Sequence, residues 1–181
     1  MSDATPRKPL LWVESGGGPL VVVPESALAS WCTDTKATSA DEFSGWGDYG
    51  RACQIDDYIG TLQVGCAEAL VLADSPDTTT FLPDRMLFIR WSGADSESDI
   101  LAALEPALTL AEWQPPVQWT LPAGPVVLFD AAWSGTDLPD HQPDNHLPID
   151  LPAGVYAAEY AYVEPNPRTS FGVVRITPHG R

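Results

Sequence analysis

The stretch from Leu11 to Pro24 reads LWVESGGGPLVVVP and consists of two apolar runs on either side of three glycines. Short apolar runs that are rich in β-branched residues and bounded by Gly and Pro are typical of strands. Gly16, Gly17 and Gly18 can adopt the positive φ angles that a tight reversal needs, so the stretch predicts a β-hairpin. Because the runs do not alternate with polar residues, we expect both faces of the strands to be covered.

Similar apolar runs follow along the chain and predict a mainly β protein with a few helices, an α+β fold. Strands are predicted at 59–64, 69–73, 79–82, 86–91, 117–121, 126–132, 147–151, 155–163 and 171–176. A short helix is expected to begin at Pro24 and to dock Trp31 on the sheet. The longest helix is predicted to begin at the capping-box pattern of Ser96 and Asp99, and Pro106 is expected to kink or split it.

The second half of the chain echoes the first. Trp119–Asp130, WTLPAGPVVLFD, is similar to the opening stretch, and Ile55 and Gly60 have the same spacing as Ile149 and Gly154. A degenerate internal duplication explains these echoes, and so does chance similarity between β sequences. We expect a flexible tail at 1–9 and one globular domain at 10–181, which the duplication would divide into halves 10–92 and 113–178 joined by a helical segment at 96–111.

The charge of the chain is strongly negative. Nine Lys and Arg stand against 25 Asp and Glu, for a formal net charge of −16, and between Arg90 and Arg168 there are twelve acids and no lysine or arginine. Such a surface repels nucleic-acid phosphates and attracts a basic protein partner. Solubility alone is the other explanation of the charge.

Cysteine usage and hydropathy bear on the cellular compartment. Cys32, Cys53 and Cys66 are an odd number without a C-x-x-C spacing, which favours reduced, buried thiols over a disulfide framework or a zinc site. No apolar run approaches the ~18 residues of a membrane span, and the N-terminus lacks the apolar core of a signal peptide. We expect a cytoplasmic protein without a membrane partner.

The motifs do not predict catalysis, a cofactor or a metal. SGGGP is followed by a strand and lacks the Lys-Ser/Thr of a phosphate-binding loop, and Ser15 has no nucleophile-elbow pattern around it. His141 and His146 stand in an acidic loop whose spacing matches neither a zinc-protease helix nor a calcium loop. A solvated acidic loop is therefore favoured over a divalent-metal site.

Two groups of residues remain as candidates for binding. In the segment Asp48–Cys53, the single arginine favours an internal ion pair over a ligand site. Trp46 and Trp133 lie outside the predicted strands and are candidate binding hot spots. The tryptophans within apolar runs are expected in the core: Trp12, Trp91 and Trp119.

Four sets of segments resemble the Immunity protein 21 family of bacterial polymorphic toxin systems. They are WVESGGGPLVVVPE, DYGRAC, DDYIG with EALVLAD, and GPVVLFDAA with LPAGVY, in that order over nearly the whole chain. WVESGGGP and DYGRAC are the most distinctive, and Gly50 departs from a pattern that usually carries an acid there. The resemblance implies a mostly β, cytosolic immunity protein that is encoded beside a secreted toxin and neutralises it by stoichiometric binding.

Three functions follow as hypotheses. The first is an antitoxin whose acidic face binds a cognate, basic toxin domain such as a nuclease. Its candidate contacts lie in the 44–51 loop and the acidic region 95–144: Trp46, Asp48, Tyr49, Arg51, Asp95, Trp133, Asp137, Asp140 and Asp144. The second is a small-ligand or carbohydrate-binding β module that stacks its ligand on Trp46 and Trp133 in a concave pocket. The third, an enzyme, would require titratable groups that converge in a cleft.

Overall fold

Two five-stranded antiparallel sheets form the protein, which confirms the mainly β prediction. The computed structural model describes residues 9–34, 43, 45–73 and 75–180, so most of the predicted tail at 1–9 lies outside them. The first sheet has the order β2-β3-β1-β7-β8. Its strands are β1 (Leu20–Pro24), β2 (Ile59–Val64), β3 (Ala67–Leu72), β7 (Val126–Asp130) and β8 (His146–Ile149).

The second sheet has the order β4-β5-β10-β9-β6. Its strands are β4 (Thr78–Leu82), β5 (Leu87–Gly93), β6 (Val117–Leu121), β9 (Gly154–Asn166) and β10 (Thr169–Pro178). The helices are α1 (Gly47–Cys53), α2 (Glu97–Leu110) and α3 (Leu138–His141), with 3-10 turns at Glu25–Ser30, Pro83–Arg85 and Gly135–Asp137. No helix in the described ranges has the length and apolar character to cross a membrane.

The longest helix begins as predicted and ends without interruption. The Ser96 hydroxyl accepts the Asp99 backbone N–H at 3.2 Å, which confirms the cap. Pro106 lies inside α2, which is continuous, so the expected split is wrong. Ile100, Leu104 and Ala107 are buried against the second sheet, and this packing supports the helix although the proline lacks an N–H.

Both faces of the first sheet are buried, as its uninterrupted apolar strands predicted. Leu20 and Val22 of β1 point into the core between the sheets, whereas Val21 and Val23 point to the opposite face. All four side chains are fully buried. The opposite face packs against the 3-10 turn that follows β1, where Trp31 is fully buried, and against α1 and α3.

The predicted hairpin between the runs flanking the three glycines is wrong. Val13 exchanges backbone hydrogen bonds of 2.8 and 2.9 Å with Thr79 of β4, in the second sheet. β1 instead pairs with β3 and β7 in the centre of the first sheet. The glycine stretch therefore carries the chain from one sheet to the other, because both edges of β1 are filled by strands remote in sequence.

Two groups of hydrogen bonds connect the two sheets. The Trp119 indole N–H donates to the Glu68 carbonyl at 3.0 Å, and the Glu68 carboxylate accepts the Thr120 backbone N–H at 2.9 Å. Arg90 of β5 is 1% exposed and donates to the carbonyl oxygens of Ala73, at 2.7 Å, and of Leu72 and Ser75. These contacts pair polar groups that would otherwise be costly to bury.

Apart from β2, which has no counterpart among the described strands, the strands of the two halves occupy matching places in the sheets. β1 and β7 are antiparallel neighbours in the first sheet, and β5 and β10 are antiparallel neighbours in the second. Outward from these pairs, β3 matches β8 and β4 matches β9, while Val13 at the edge of β4 matches β6. The duplication remains a prediction, and this topology defines which strands it would make equivalent.

The thiols are free, but the expectation that all three are buried is wrong. Cys32 and Cys66 are exposed and Cys53 is half-buried. Cys32 follows the fully buried Trp31 just after the 3-10 turn Glu25–Ser30 ends. The predicted helix therefore does not continue to Cys32, and its side chain is not turned toward the sheet. Of the tryptophans assigned to the core, Trp119 is fully buried, whereas Trp12 and Trp91 pack edge to face at 5.1 Å and are half-buried.

Two-sided burial makes a direct prediction for β1. Val21→Ala and Val22→Ala should each lower the free energy of unfolding by about 2 kcal/mol, because each leaves a cavity in a different apolar layer. Gln118→Ala, at an exposed position of β6, is the control and should change it by less than about 0.5 kcal/mol. Urea unfolding measures all three, and a small effect at either valine would contradict two-sided burial.

Candidate functional site

Two adjoining clefts lie where β1 begins and β3 and β7 end. They are separated by the ring of Tyr49, which lines both together with Gly18. The Trp133 cleft has a volume of about 560 Å³ and is lined by Gly16, Gly18, Thr33, Asp34, Tyr49, Asp130, Ala132, Trp133, Ser134, Asp137 and His141. The Trp46 cleft has a volume of about 400 Å³, and its aromatic lining is Phe43, Trp46 and Tyr49.

An internal ion pair holds α1 in place, as the sequence favoured. The Asp48 carboxylate accepts the Cys32 backbone N–H at 2.9 Å and the Arg51 guanidinium at 2.6 Å. Arg51 also donates to the Gln63 carbonyl of β2 at 3.0 Å. Asp48 and Arg51 therefore position the helix, and the side chain between them, Tyr49, reaches the clefts.

Two glycines let α1 approach its neighbours closely. Gly47 has a φ of 61°, and a Cβ there would lie 2.5 Å from the Cys32 carbonyl oxygen. A Cβ at Gly50 would lie 2.0 Å from the carbonyl oxygen of Phe43. This backbone arrangement has no room for a side chain at position 50.

Tyr49 lies directly over Gly18. A Cβ at Gly18 would lie 2.5 Å from the Tyr49 hydroxyl oxygen, so only glycine leaves room for the ring. The ring stacks on Trp46 with a centroid distance of 5.6 Å and an angle of 16°. Burial, with contributions from Cys53 and Asp130, raises the pKa of Tyr49 to about 12, so the phenol is neutral at physiological pH.

Asp130, which sequence reasoning missed, is a buried carboxylate in the wall of the Trp133 cleft. It is 4% exposed, and its two oxygens accept the backbone N–H groups of Gly16 at 2.7 Å and Ala132 at 3.0 Å. Among the described residues, no lysine or arginine lies within 4.0 Å of this carboxylate. The available signal was its position, since a charged residue ends the otherwise apolar run of β7.

An aromatic pair forms another wall of the Trp133 cleft. The Trp133 and His141 rings stack with a centroid distance of 5.7 Å and an angle of 21°. Trp133 is half-buried, and His141 and Asp137 are exposed beside it. The cleft thus combines flat aromatic surface with carboxylates at two depths.

The structure gathers four of the predicted binding residues at the clefts: Trp46, Tyr49, Trp133 and Asp137. Asp140 and Asp144 are exposed nearby in sequence but line neither cleft. Asp95 pairs with Arg168 and lines a separate cavity at the turn between β9 and β10. Most of the predicted 44–51 loop is instead helical, in α1, and Ser44 lies outside the described residues.

The two histidines of the acidic segment have separate surroundings. His141 stacks on Trp133, whereas His146 Nδ1 lies 2.7 Å from the Gln142 carbonyl oxygen. Within the described part of the chain, no group of three or more His, Cys, Asp or Glu side chains could hold a metal ion. Among the described residues, the two histidines and the neighbouring acids therefore do not form the ligand set of a divalent-metal site.

Comparison with known families gives one match. The family model described as Immunity protein 21 matches residues 11–169. This span contains every residue that lines the two clefts. No curated protein and no solved structure matches the chain.

The raised pKa of Tyr49 predicts a pH dependence of stability. Between pH 10 and pH 12 the unfolded chain loses the phenol proton while the folded chain keeps it, so the free energy of unfolding should fall over that range. Tyr49→Phe should make this fall less steep. NMR titration of the Tyr49 ring carbon checks the pKa itself, and a midpoint near 10 would contradict the burial described.

The contact between Tyr49 and Gly18 predicts a paired effect. Gly18→Ala should displace the ring and lower the free energy of unfolding by about 1–3 kcal/mol through overpacking. In a Tyr49→Leu background the same substitution should cost much less, because the clashing phenol is gone. Thermal unfolding of the four proteins measures the coupling, and additive effects would show that the two residues do not press on each other.

Proposed function

Because the chain belongs to the Immunity protein 21 family, we propose that it protects the cell that makes it by binding a cognate toxin domain and covering its active surface. One protein binds one toxin domain, and the protein itself transforms nothing. The observation that carries the proposal is the Trp133 cleft with its neighbour, where aromatic faces and carboxylates converge at one end of the first sheet. We place the toxin interface there.

The charge distribution supports a basic toxin, such as a nuclease. The described ranges contain five arginines, and each has an internal partner. Four pair with carboxylates, in Arg51–Asp48, Arg85–Glu105, Arg168–Asp95 and Arg175–Glu159, and Arg90 donates to carbonyl oxygens. The excess of acids, with a net charge of −16, therefore remains available to attract and orient a cationic surface.

The aromatic lining supports tight binding at this place. Trp and Tyr dominate interface hot spots because they bury a large area with few rotatable bonds. Trp46, Tyr49 and Trp133 are half-buried and so already held by the fold. A surface that is ordered before binding loses less conformational entropy when the partner arrives.

A carbohydrate or small-ligand module is the second candidate, and one observation favours it. Trp46 and Trp133 do line concave pockets, which is the feature that this hypothesis required. Calorimetry with neutral oligosaccharides separates the two functions. Saturable sugar binding without toxin binding would replace the antitoxin proposal.

The enzyme hypothesis also gains a partial match, since Asp130, Asp137 and His141 line one cleft. An acid–base pair needs hydrogen-bond reach. Among the described residues, however, no carboxylate oxygen lies within 4.0 Å of a His141 ring nitrogen. The stacking of His141 on Trp133 suits a binding surface, and we retain the non-enzymatic proposal.

The proposed interface predicts a local electrostatic effect on association with the toxin domain encoded beside this chain. Reversal of Asp137, Asp140 and Asp144 to lysine should slow association about tenfold or more, and added salt should reduce the difference. The matched control reverses three exposed acids outside the clefts, Asp84, Asp150 and Glu164. Stopped-flow mixing measures both rates; equal slowing would attribute the effect to net charge and move the interface elsewhere.

A further inference from the structure

The walls of the Trp133 cleft offer a flat surface of a particular kind. The rings of Trp133 and His141 are stacked nearly parallel, 21° apart, and both border the cleft. A planar cation stacks favourably on such a face, and a tryptophan face is the strongest of the aromatic partners. The guanidinium of arginine is planar and weakly hydrated, so it gives up its water more readily than an ammonium does.

The acidic groups of the same cleft are hydrogen-bond acceptors. Asp34, Asp130 and Asp137 contribute carboxylates, and the described lining contains no lysine or arginine. Each Asp130 oxygen accepts one backbone N–H, which leaves further lone pairs on a carboxylate that can accept about four bonds. A ligand that donates hydrogen bonds and accepts none complements this lining.

Two hydroxyls of the cleft, those of Thr33 and Ser134, have internal partners. Thr33 Oγ1 donates to the Ala132 carbonyl at 3.1 Å and lies 3.2 Å from Ser134 Oγ, which accepts the Thr33 backbone N–H at 3.1 Å. A sugar needs donors as well as acceptors around it, whereas a guanidinium presents five N–H donors and no acceptor. The carboxylates of the lining therefore favour a cation over a neutral sugar.

We propose that the Trp133 cleft receives one arginine side chain of the toxin, with its guanidinium stacked on the Trp133–His141 pair and its N–H groups directed to Asp137 and Asp130. This inference rests on the proposed antitoxin function and names the chemistry by which the toxin is recognised. Asp137, exposed at the rim, meets the cation first, and Asp130, held by backbone N–H groups, is a stationary acceptor deeper in the wall. The long aliphatic stem of the arginine would lie along the apolar part of the cleft.

The direct test uses small probes on the full chain. N-acetylarginine amide is titrated against the ¹⁵N-labelled protein, and the Trp133 indole N–H signal is followed by NMR. We expect saturable shifts with a Kd on the order of 1 mM, at least tenfold tighter than for N-acetylcitrulline amide, which has nearly the same shape and no charge. Equal binding of citrulline, equal binding of N-acetyllysine amide, or no binding of the arginine probe would each overturn the proposal.

Matched variants separate the cleft from the general field of the protein. Asp137→Asn should weaken arginine binding roughly two- to fivefold, whereas Asp150→Asn, which removes the same charge from an exposed position outside both clefts, should leave it unchanged. Trp133→Phe keeps an aromatic face and should retain most of the affinity, whereas Trp133→Leu should abolish it. Equal effects within either pair would contradict the assignment, and the dispersion of the NMR spectrum shows that each variant is folded.

Failure of this inference can be told apart from failure of the proposed function. Toxin binding is measured separately, by co-purification of the chain with the neighbouring toxin domain. A complex that forms while the arginine probe does not bind would overturn the arginine site and leave the antitoxin function standing. Binding of the probe without a complex would overturn the antitoxin function instead.

Discussion

The burial of both faces of β1 and β7 is the constraint on which the rest of the structure depends. Successive side chains of these strands point into two different apolar layers, one between the sheets and one outside the first sheet. The outer layer exists only because other segments cover it: the turn Glu25–Ser30, α1 and α3. The clefts lie where β1 begins and β7 ends, and α1 and α3 each contribute residues to their lining.

Glycines let the segments that cover the first sheet approach their neighbours closely, and the clefts form at these contacts. α1 lies on its neighbours at Gly47 and Gly50, and the Tyr49 ring lies over Gly18. Tyr49 belongs to DYGRAC and Gly18 to WVESGGGP, so the two segments that carry most of the family resemblance meet at one contact. Asp130 joins them through its bond to the Gly16 backbone. The cleft is therefore a property of three remote segments, and none of them forms it alone.

Much of this was readable from the sequence, within a limit set by what local patterns encode. Apolar runs indicate nearly every strand, and the absence of alternation correctly predicts two-sided burial for β1. The same prediction is wrong for the first run, where Leu11 is exposed. The same runs carry no information about strand pairing, so the predicted hairpin at Gly16–Gly18 is wrong. The sequence similarity pairs Ile55 with Ile149, whereas the sheet order makes β3 equivalent to β8. For a related reason the sequence does not identify Asp130, since its position depends on a hydrogen bond from the Gly16 backbone N–H, 114 residues earlier.

The candidate binding residues fall into two groups. Trp46, Tyr49, Trp133 and Asp137 could be proposed from residue type and position, because aromatic residues and acids outside the predicted strands are typical of interaction surfaces. Asp48 and Arg51 are charged candidates from the same stretch, and their bonds to Cys32 and Gln63 give them a structural role in positioning the helix.

What distinguishes the two groups is whether the polar atoms are matched within the chain. Asp48 has a cationic partner, whereas Asp130 accepts only backbone N–H groups among the described residues. Carboxylates without a nearby cation, placed beside exposed ring faces, leave an electrostatic mismatch that a basic partner can fill. That mismatch depends on the fold and cannot be read from composition, and it is the physical reason for proposing the binding surface at this end of the first sheet.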